Sequence, residues 1–117
     1  MKPARSFHAF LTATMVVMAL ALSACASVPQ PKTFNERLAY GYTTVTTIRQ
    51  IGTNLVTAGK ISANDAQNVQ DQANNARVGL DIAKTLSGQA AEDKLTVTLT
   101  LLQGLQSYLL AKENGGK

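Results

Sequence analysis

The chain has 117 residues with one cysteine and a formal net charge of +4. This length suits one small domain, and a single cysteine excludes both an internal disulfide and a zinc site built from several thiolates. Lys2 and Arg5 lie in an N-terminal leader, and the nine other basic residues are scattered among seven acidic ones. A nucleic-acid partner is not expected, because such proteins cluster their basic residues in a stripe.

The first 24 residues have the layout of a secretory signal. Two basic residues precede an apolar run over 9–22. A membrane-spanning helix needs about 20 apolar residues, whereas the apolar region of a secretory signal has about 7–15. We therefore predict that residues 1–24 are a cleaved signal peptide.

The residues Leu22, Ser23, Ala24 and Cys25 resemble the lipobox of bacterial lipoproteins. In that family the signal peptidase recognises the three residues before the cysteine. The thiol then carries a diacylglycerol, and the new amino group is also acylated. The resemblance implies that Cys25 is a palmitate-type lipidation site, with at least the two acyl chains that stable anchoring requires. The alternative is an ordinary signal peptide in which Cys25 carries no lipid.

The residues that follow Cys25 indicate which membrane holds the anchor. In Gram-negative lipoproteins an aspartate after the cysteine tends to retain the protein at the inner membrane, but here Ala26 and Ser27 follow. The resemblance implies the periplasmic face of the outer membrane. The outer leaflet of the plasma membrane is the alternative in a host with a single membrane. Residues 25–33 contain two prolines and predict a short extended spacer. No cofactor other than the covalent lipid is expected.

Three segments of similar length follow the spacer and predict an all-α, antiparallel three-helix bundle over about 34–58, 63–87 and 90–113. Gly59 and Gly88 are natural helix ends. Short glycine-containing joints between segments of similar length favour antiparallel neighbours.

Two of the helix starts carry capping signals. Thr33 or Asn35 can cap the first segment. Ser62 precedes Asp65 by three residues, which is typical of a capping box at the start of the second segment.

Each segment also carries a stripe of apolar and small residues with steps of three and four residues, the spacing of one helix face. The stripes comprise Phe34, Leu38, Gly41, Val45, Ile48, Gly52 and Leu55, then Ala66, Val69, Ala73, Ala76, Leu80 and Ala83, then Leu95, Leu99, Leu102, Leu105 and Leu109.

One stretch favours a strand instead. Residues 95–101 alternate strictly between leucine or valine and threonine, which is the pattern of a half-buried strand. Residues 43–48 are also rich in β-branched residues. However, an isolated pair of strands is only marginally stable, and helical spacing resumes after residue 101. We therefore predict helix and keep the strand as the alternative.

The third segment carries a second stripe roughly opposite the first. Val97, Leu101, Gly104 and Tyr108 step by four, three and four residues. Either the first two helices each cover one of the two stripes, or this second stripe contacts a protein partner or another copy of the chain. We take these four residues as a candidate partner face.

Catalytic side chains are scarce in the predicted mature chain. The single histidine, His8, lies in the leader, which removes the commonest general base and the usual nucleophile–base pairs. Glu92 and Asp93 lie near the start of the third segment, where we expect them to interact with the helix dipole. No catalytic or metal-binding residue is expected, and the protein is not expected to be an enzyme.

The chain ends with Lys117 in a short tail, 114–117, after the helical domain 34–113. The abundant murein lipoprotein is similar in its lipidated cysteine, its helix and its terminal lysine, which that family joins to peptidoglycan. The two helix breaks of this chain depart from that family's uninterrupted helix, so attachment to peptidoglycan is not expected.

The mature region resembles small helical lipoproteins of Gram-negative bacteria. These observations predict a small outer-membrane lipoprotein that acts as a non-catalytic binding or scaffolding module in the cell envelope. One alternative is a self-associating structural lipoprotein of the envelope. The other is an accessory lipoprotein of a prophage or other mobile element.

Overall fold

The computed structural model describes residues 30–115 and contains, in that part of the chain, three α-helices and no strand. The helices are α1 (Phe34–Thr57), α2 (Ala63–Thr85) and α3 (Gly88–Glu113), and each contacts the other two. The prediction of an all-α three-helix bundle is therefore confirmed. The predicted signal peptide, the lipobox and the terminal lysine lie outside the described residues.

Helices α1 and α2 are antiparallel and approach closely at two glycines of α1. A Cβ added to Gly41 would lie 2.7 Å from Cδ2 of Leu80, and one added to Gly52 would lie 3.3 Å from Cγ1 of Val69. The earlier glycine of α1, Gly41, contacts the later residue of α2, Leu80, and the later glycine, Gly52, contacts the earlier residue, Val69. The two helices therefore run in opposite directions. The missing Cβ atoms allow leucine and valine side chains of α2 to pack directly on the α1 backbone.

Helix α3 runs parallel to α1. Near the N-terminal ends, Nη1 of Arg37 lies 2.7 Å from Oε2 of Glu92. Near the C-terminal ends, Nζ of Lys60 donates a hydrogen bond to the carbonyl oxygen of Glu113. The chain thus runs along the bundle three times, reversing direction at each joint.

Capping boxes begin the first two helices. The sequence predicted the second of them, and for α1 it allowed either Thr33 or Asn35 as the cap, of which the structure uses Thr33. The Glu36 backbone N–H donates to Oγ1 of Thr33, and the Thr33 N–H donates to Oε2 of Glu36 at 3.0 Å. Hydrogen bonds from the backbone N–H groups of Thr33 and Lys32 lower the pKa of Glu36, because they favour its ionised form. Ser62 and Asp65 make the same reciprocal pair at the start of α2.

The first joint follows the predicted glycine stop. Gly59 has φ +70°, a left-handed conformation that suits glycine. Its N–H donates to the carbonyl of Val56, and the N–H of Lys60 donates to the carbonyl of Leu55. These two bonds form a Schellman motif, so local backbone chemistry ends α1 here.

The second joint lies two residues earlier than predicted on both sides. Helix α2 ends at Thr85 rather than 87, and α3 begins at Gly88 rather than 90. Leu86 and Ser87 are extended, and Gly88 has φ +60°. Gly88 therefore opens the next helix instead of closing the previous one, because the reversal takes place in the two extended residues before it.

The core consists of the inner stripes of the three helices. Its largest fully buried side chains are Ile48, Leu80, Leu95, Leu102 and Leu109. Full burial of each such side chain stabilises the fold by roughly 1.5–3 kcal/mol. Leu95, Leu102 and Leu109 all come from one side of α3, which makes that side the centre of the bundle.

The stretch 95–101 is helical, so the strand alternative is wrong. Two of its three threonines satisfy their hydroxyl groups within the helix: Thr98 and Thr100 donate to the carbonyls of Lys94 and Thr96, at 2.8 and 2.9 Å. The threonines of α1 bond in the same way, four residues back. Packing of the inner stripe outweighs the modest β preference of these residues.

Candidate functional site

The candidate partner face predicted from the sequence lies on the solvent side of α3. Val97, Leu101 and Tyr108 are 67%, 38% and 36% exposed, and Gly104 is exposed between the latter two. Helices α1 and α2 both pack on the inner stripe, so neither covers these four residues. The structure therefore brings the four together on one accessible surface.

Gly104 forms a notch in this surface. A Cβ added to it would meet no atom of the described residues within 4 Å. A glycine inside a helix costs about 0.5–1 kcal/mol relative to alanine. Gly41, Gly52 and Gly79 offset that cost by admitting a neighbouring side chain, whereas Gly104 has no such neighbour in the described part of the bundle.

Opposite charges stand at the two ends of the face. Asp93 precedes Val97 by four residues, and Lys112 follows Tyr108 by four, so both continue the same helix face. Oδ1 of Asp93 accepts a hydrogen bond from Gln89 at 2.8 Å, and Nζ of Lys112 lies 5.6 Å from the centre of the Tyr108 ring. We call the six residues Asp93, Val97, Leu101, Gly104, Tyr108 and Lys112 the outer face of α3.

A second exposed row, on α2 and its C-cap residue Leu86, was not predicted. Val78, Ile82 and Leu86 are exposed and spaced by four residues, and that spacing was the signal that could have revealed them. We call these three residues the α2 row.

The α2 row lies beside the outer face of α3. The two helices touch where a Cβ on Gly79 would lie 2.6 Å from Oγ1 of Thr98. Ile82 lies three residues beyond that contact on α2, and Val97 lies one residue before it on antiparallel α3. At 1.5 Å per residue, Ile82 and Val97 are separated by only about 3 Å along the bundle axis. Leu80 and Leu99, the neighbours of Gly79 and Thr98, both approach α1 at Gly41. At 3.6 residues per turn, Ile82 and Val97 lie on the other side of the Gly79–Thr98 contact, away from α1. The two rows therefore share one solvent-facing side of the bundle.

The acidic pair Glu92–Asp93 does not act on the helix dipole as predicted. Because α3 begins at Gly88, both residues lie beyond the first turn, where the dipole effect is strongest. Glu92 instead pairs with Arg37, whose Nη2 also donates to Oγ1 of Thr96 at 3.0 Å. Glu92 thus ties α3 to α1, while Asp93 belongs to the outer face.

A second tie joins α1 to α2. The hydroxyl of Tyr42 donates a hydrogen bond to Oδ1 of Asp81. This bond raises the pKa of the Tyr42 phenol, because only the protonated phenol can donate it. Burial and the negative charge of Asp81 act in the same direction.

A shallow polar depression runs between α1 and α2, lined by Thr46, Arg49, Gln50, Thr53, Asn54 and Gln70. Nε of Arg49 donates to Oε1 of Gln70 at 2.9 Å, and Nε2 of Gln70 donates to the backbone carbonyl of Arg49 at 3.1 Å. Arg49 and Gln70 thus bind each other across the depression, so a ligand that used either group would have to replace these bonds. The outer face of α3 is the stronger candidate site.

Metal-binding clusters of three or more His, Cys, Asp or Glu residues are absent from the part of the chain that the structure describes. None of the described helices has the length and apolar composition needed to cross a membrane. The lipidation site Cys25 and its recognition residues Leu22, Ser23 and Ala24 lie outside the described range and stay predictions.

Comparison of the chain with known protein families, with curated proteins and with solved structures found no match. Its function is therefore inferred from its own residues.

Proposed function

We propose that this protein is a lipid-anchored, non-catalytic scaffold of the bacterial cell envelope, in which the outer face of α3 contacts protein. The anchor is Cys25, and the membrane is the outer membrane at its periplasmic face. The observation that carries the contact role is the outer face itself, where large apolar side chains and an unfilled notch lie exposed between opposite charges.

Four of the seven acidic side chains support a structural rather than a catalytic role. Glu36 and Asp65 complete capping boxes, Glu92 pairs with Arg37, and Asp81 accepts the Tyr42 hydroxyl. General acid–base catalysis needs a titratable group with access to a substrate. These four carboxylates are instead occupied in holding the helices.

The anchor is tested by metabolic labelling with radioactive palmitate. We expect the wild-type chain to incorporate label and to sediment with outer membranes, and Cys25→Ser to lose both properties, because the serine oxygen does not accept the diacylglycerol in this pathway. Label that persists in Cys25→Ser would contradict the anchor.

The contact role is tested by photocrosslinking in intact cells. A photoreactive amino acid at Leu101 or Val97 should crosslink to protein. The matched control is Gln103, which is exposed on another side of the same helix and should not crosslink. Absence of crosslinked product at both Leu101 and Val97, or equal product at Gln103, would contradict a role for the outer face.

A further inference from the structure

We propose that the partner of the outer face of α3 is the same face of a second copy, with the two α3 helices antiparallel. This inference rests on the proposed function only in taking that face as a protein-contact surface. It does not depend on the lipid anchor.

The spacing of the outer face is the same in both directions. Its six residues step by four, four, three, four and four along α3. Two such helices can lie antiparallel so that the midpoint between Leu101 and Gly104 of one copy faces the same midpoint of the other. Every residue of one outer face then lies opposite a residue of the other outer face. Leu101 then lies opposite Gly104 of the second copy, and Val97 lies opposite Tyr108 of the second copy.

The charges select this direction over the parallel one. In the antiparallel register, Asp93 at one end of each helix lies opposite Lys112 of the second copy, so the pair contains two attractive contacts. Parallel helices in register would place Asp93 beside Asp93 and Lys112 beside Lys112. Like charges at neighbouring positions destabilise helix pairs, and opposite charges set partner orientation.

The shapes of the facing residues also fit. Gly104 leaves room for the Leu101 side chain of the second copy. Within one chain, no described atom fills this space. Tyr108 supplies an aromatic ring over Val97, the most exposed apolar residue of the face. Closure removes these apolar groups from water, the main favourable contribution to association. The α2 row lies along the border of the contact and enlarges its apolar area.

The arrangement constrains how an anchored pair meets its membrane. Antiparallel helices place the two anchored ends at opposite ends of the pair, about 39 Å apart for the 26 residues of α3. Residues 26–33 reach at most about 29 Å when extended. Both lipids can therefore enter one membrane when the pair lies along the surface.

Disulfide trapping of full-length protein in cells tests the pairing. Two differently tagged copies are co-expressed, one with Val97→Cys and one with Tyr108→Cys. We expect a disulfide-linked dimer that contains both tags, because these positions face each other in the antiparallel register. Either variant expressed alone should give none, because residue 97 would lie about 16 Å along the axis from its own copy and a disulfide needs Cα atoms within about 7 Å.

Two results would overturn the pairing. One is a disulfide in Val97→Cys expressed alone, which indicates parallel helices. The other is absence of the mixed dimer while circular dichroism shows both variants folded. The same pair of variants in a Cys25→Ser chain should still form the mixed dimer, so failure of the anchor is distinguishable from failure of the pairing. A crosslink from Leu101 to a different protein alone would retain the contact role and reject the second copy.

Charge reversal gives an independent test. Asp93→Lys or Lys112→Asp replaces both attractive contacts by repulsion, and each should lower the yield of mixed dimer about tenfold. The double variant restores both contacts with reversed sign and should recover most of the yield. Gln103→Lys, off the outer face, is the matched control and should leave the yield unchanged. A double variant as weak as the single ones would contradict the register.

Discussion

The two sides of α3 carry similar residues at similar spacing but have different surroundings. Leu95, Leu102 and Leu109 on the inner side are at most 1% exposed, whereas Val97 and Leu101 on the outer side are 67% and 38% exposed. Both sides are apolar stripes, and α1 and α2 cover only one of them. Apolar character alone therefore does not assign a helix face to the core.

The two sides of α3 also differ in the packing around glycine and threonine residues. Where α3 packs against α2, Gly79 and Thr98 touch, and the Thr98 hydroxyl is satisfied within its own helix. On the outer side Gly104 admits no neighbour from the described residues. The inner side is therefore fully packed by residues of the same chain, whereas the outer side keeps exposed apolar groups and an open space at Gly104.

The largest expected difference in stability is between lysine substitutions at two adjacent leucines, one on each side of α3. Leu102→Lys would bury an unpaired charge in the core, and we expect loss of the cooperative fold, because such burial costs several kcal/mol. Leu101→Lys should keep native helicity and change the free energy of unfolding by about 1 kcal/mol or less, because the lysine stem can lie along the surface with its ammonium in water. Circular dichroism with urea titration measures both. Loss of helicity in Leu101→Lys would show that the outer side belongs to the core.

Alanine substitutions at two glycines test the same difference between the sides, with smaller expected changes in stability. Gly79→Ala places a Cβ against the stiff, buried Thr98 side chain and should destabilise the fold by about 1–2 kcal/mol, after a partial offset from better helix propensity. Gly104→Ala should raise the stability of the isolated chain by about 0.5–1 kcal/mol, because nothing opposes the added methyl group. Thermal unfolding at low protein concentration measures both changes. Destabilisation by Gly104→Ala would contradict the open notch.

The N-caps of α1 and α3 allow a third comparison, in which the expected losses of stability are similar to or smaller than those at the glycines. Thr33→Ala removes a capping box and should cost about 1 kcal/mol. Ser87→Ala should cost only a few tenths of a kcal/mol, because the Ser87 side chain makes no capping bond to any described residue. Chemical denaturation of the two variants in parallel gives the difference. Equal losses would show that α3, like α1, depends on a local cap rather than on its inner stripe.

The smallest expected effect comes from the edge of the bundle. The folded pKa of Tyr42 lies above its ordinary value of 10.0, so its bond to Asp81 stabilises the fold fully below pH 10 and is lost as pH rises through the folded pKa. We expect Tyr42→Phe to cost at most about 1 kcal/mol near neutral pH and less at alkaline pH. Urea midpoints of wild type and variant between pH 8 and pH 11 measure this. A difference that grows with pH would contradict it, and exposed Tyr40→Phe serves as the control.

Much of the fold could be predicted from local patterns. The capping residues Ser62 and Asp65 and the glycine stop at Gly59 act within a few residues of the chain, so the start of α2 and the end of α1 were predictable. The second joint was not, because Gly88 can either end one helix or open the next. That choice depends on how the neighbouring helices place the two extended residues before it.

The sequence by itself determined the number of helices, their apolar stripes and the four residues Val97, Leu101, Gly104 and Tyr108 of the outer face, because helix periodicity and capping depend on residues close together in the chain. Only the tertiary structure decided which stripe of α3 faces inward, since both stripes have nearly the same spacing. It also decided that Glu92 pairs with Arg37 and that the α2 row lies beside Val97. Those relations join residues far apart in sequence, and packing of the three helices against one another creates them.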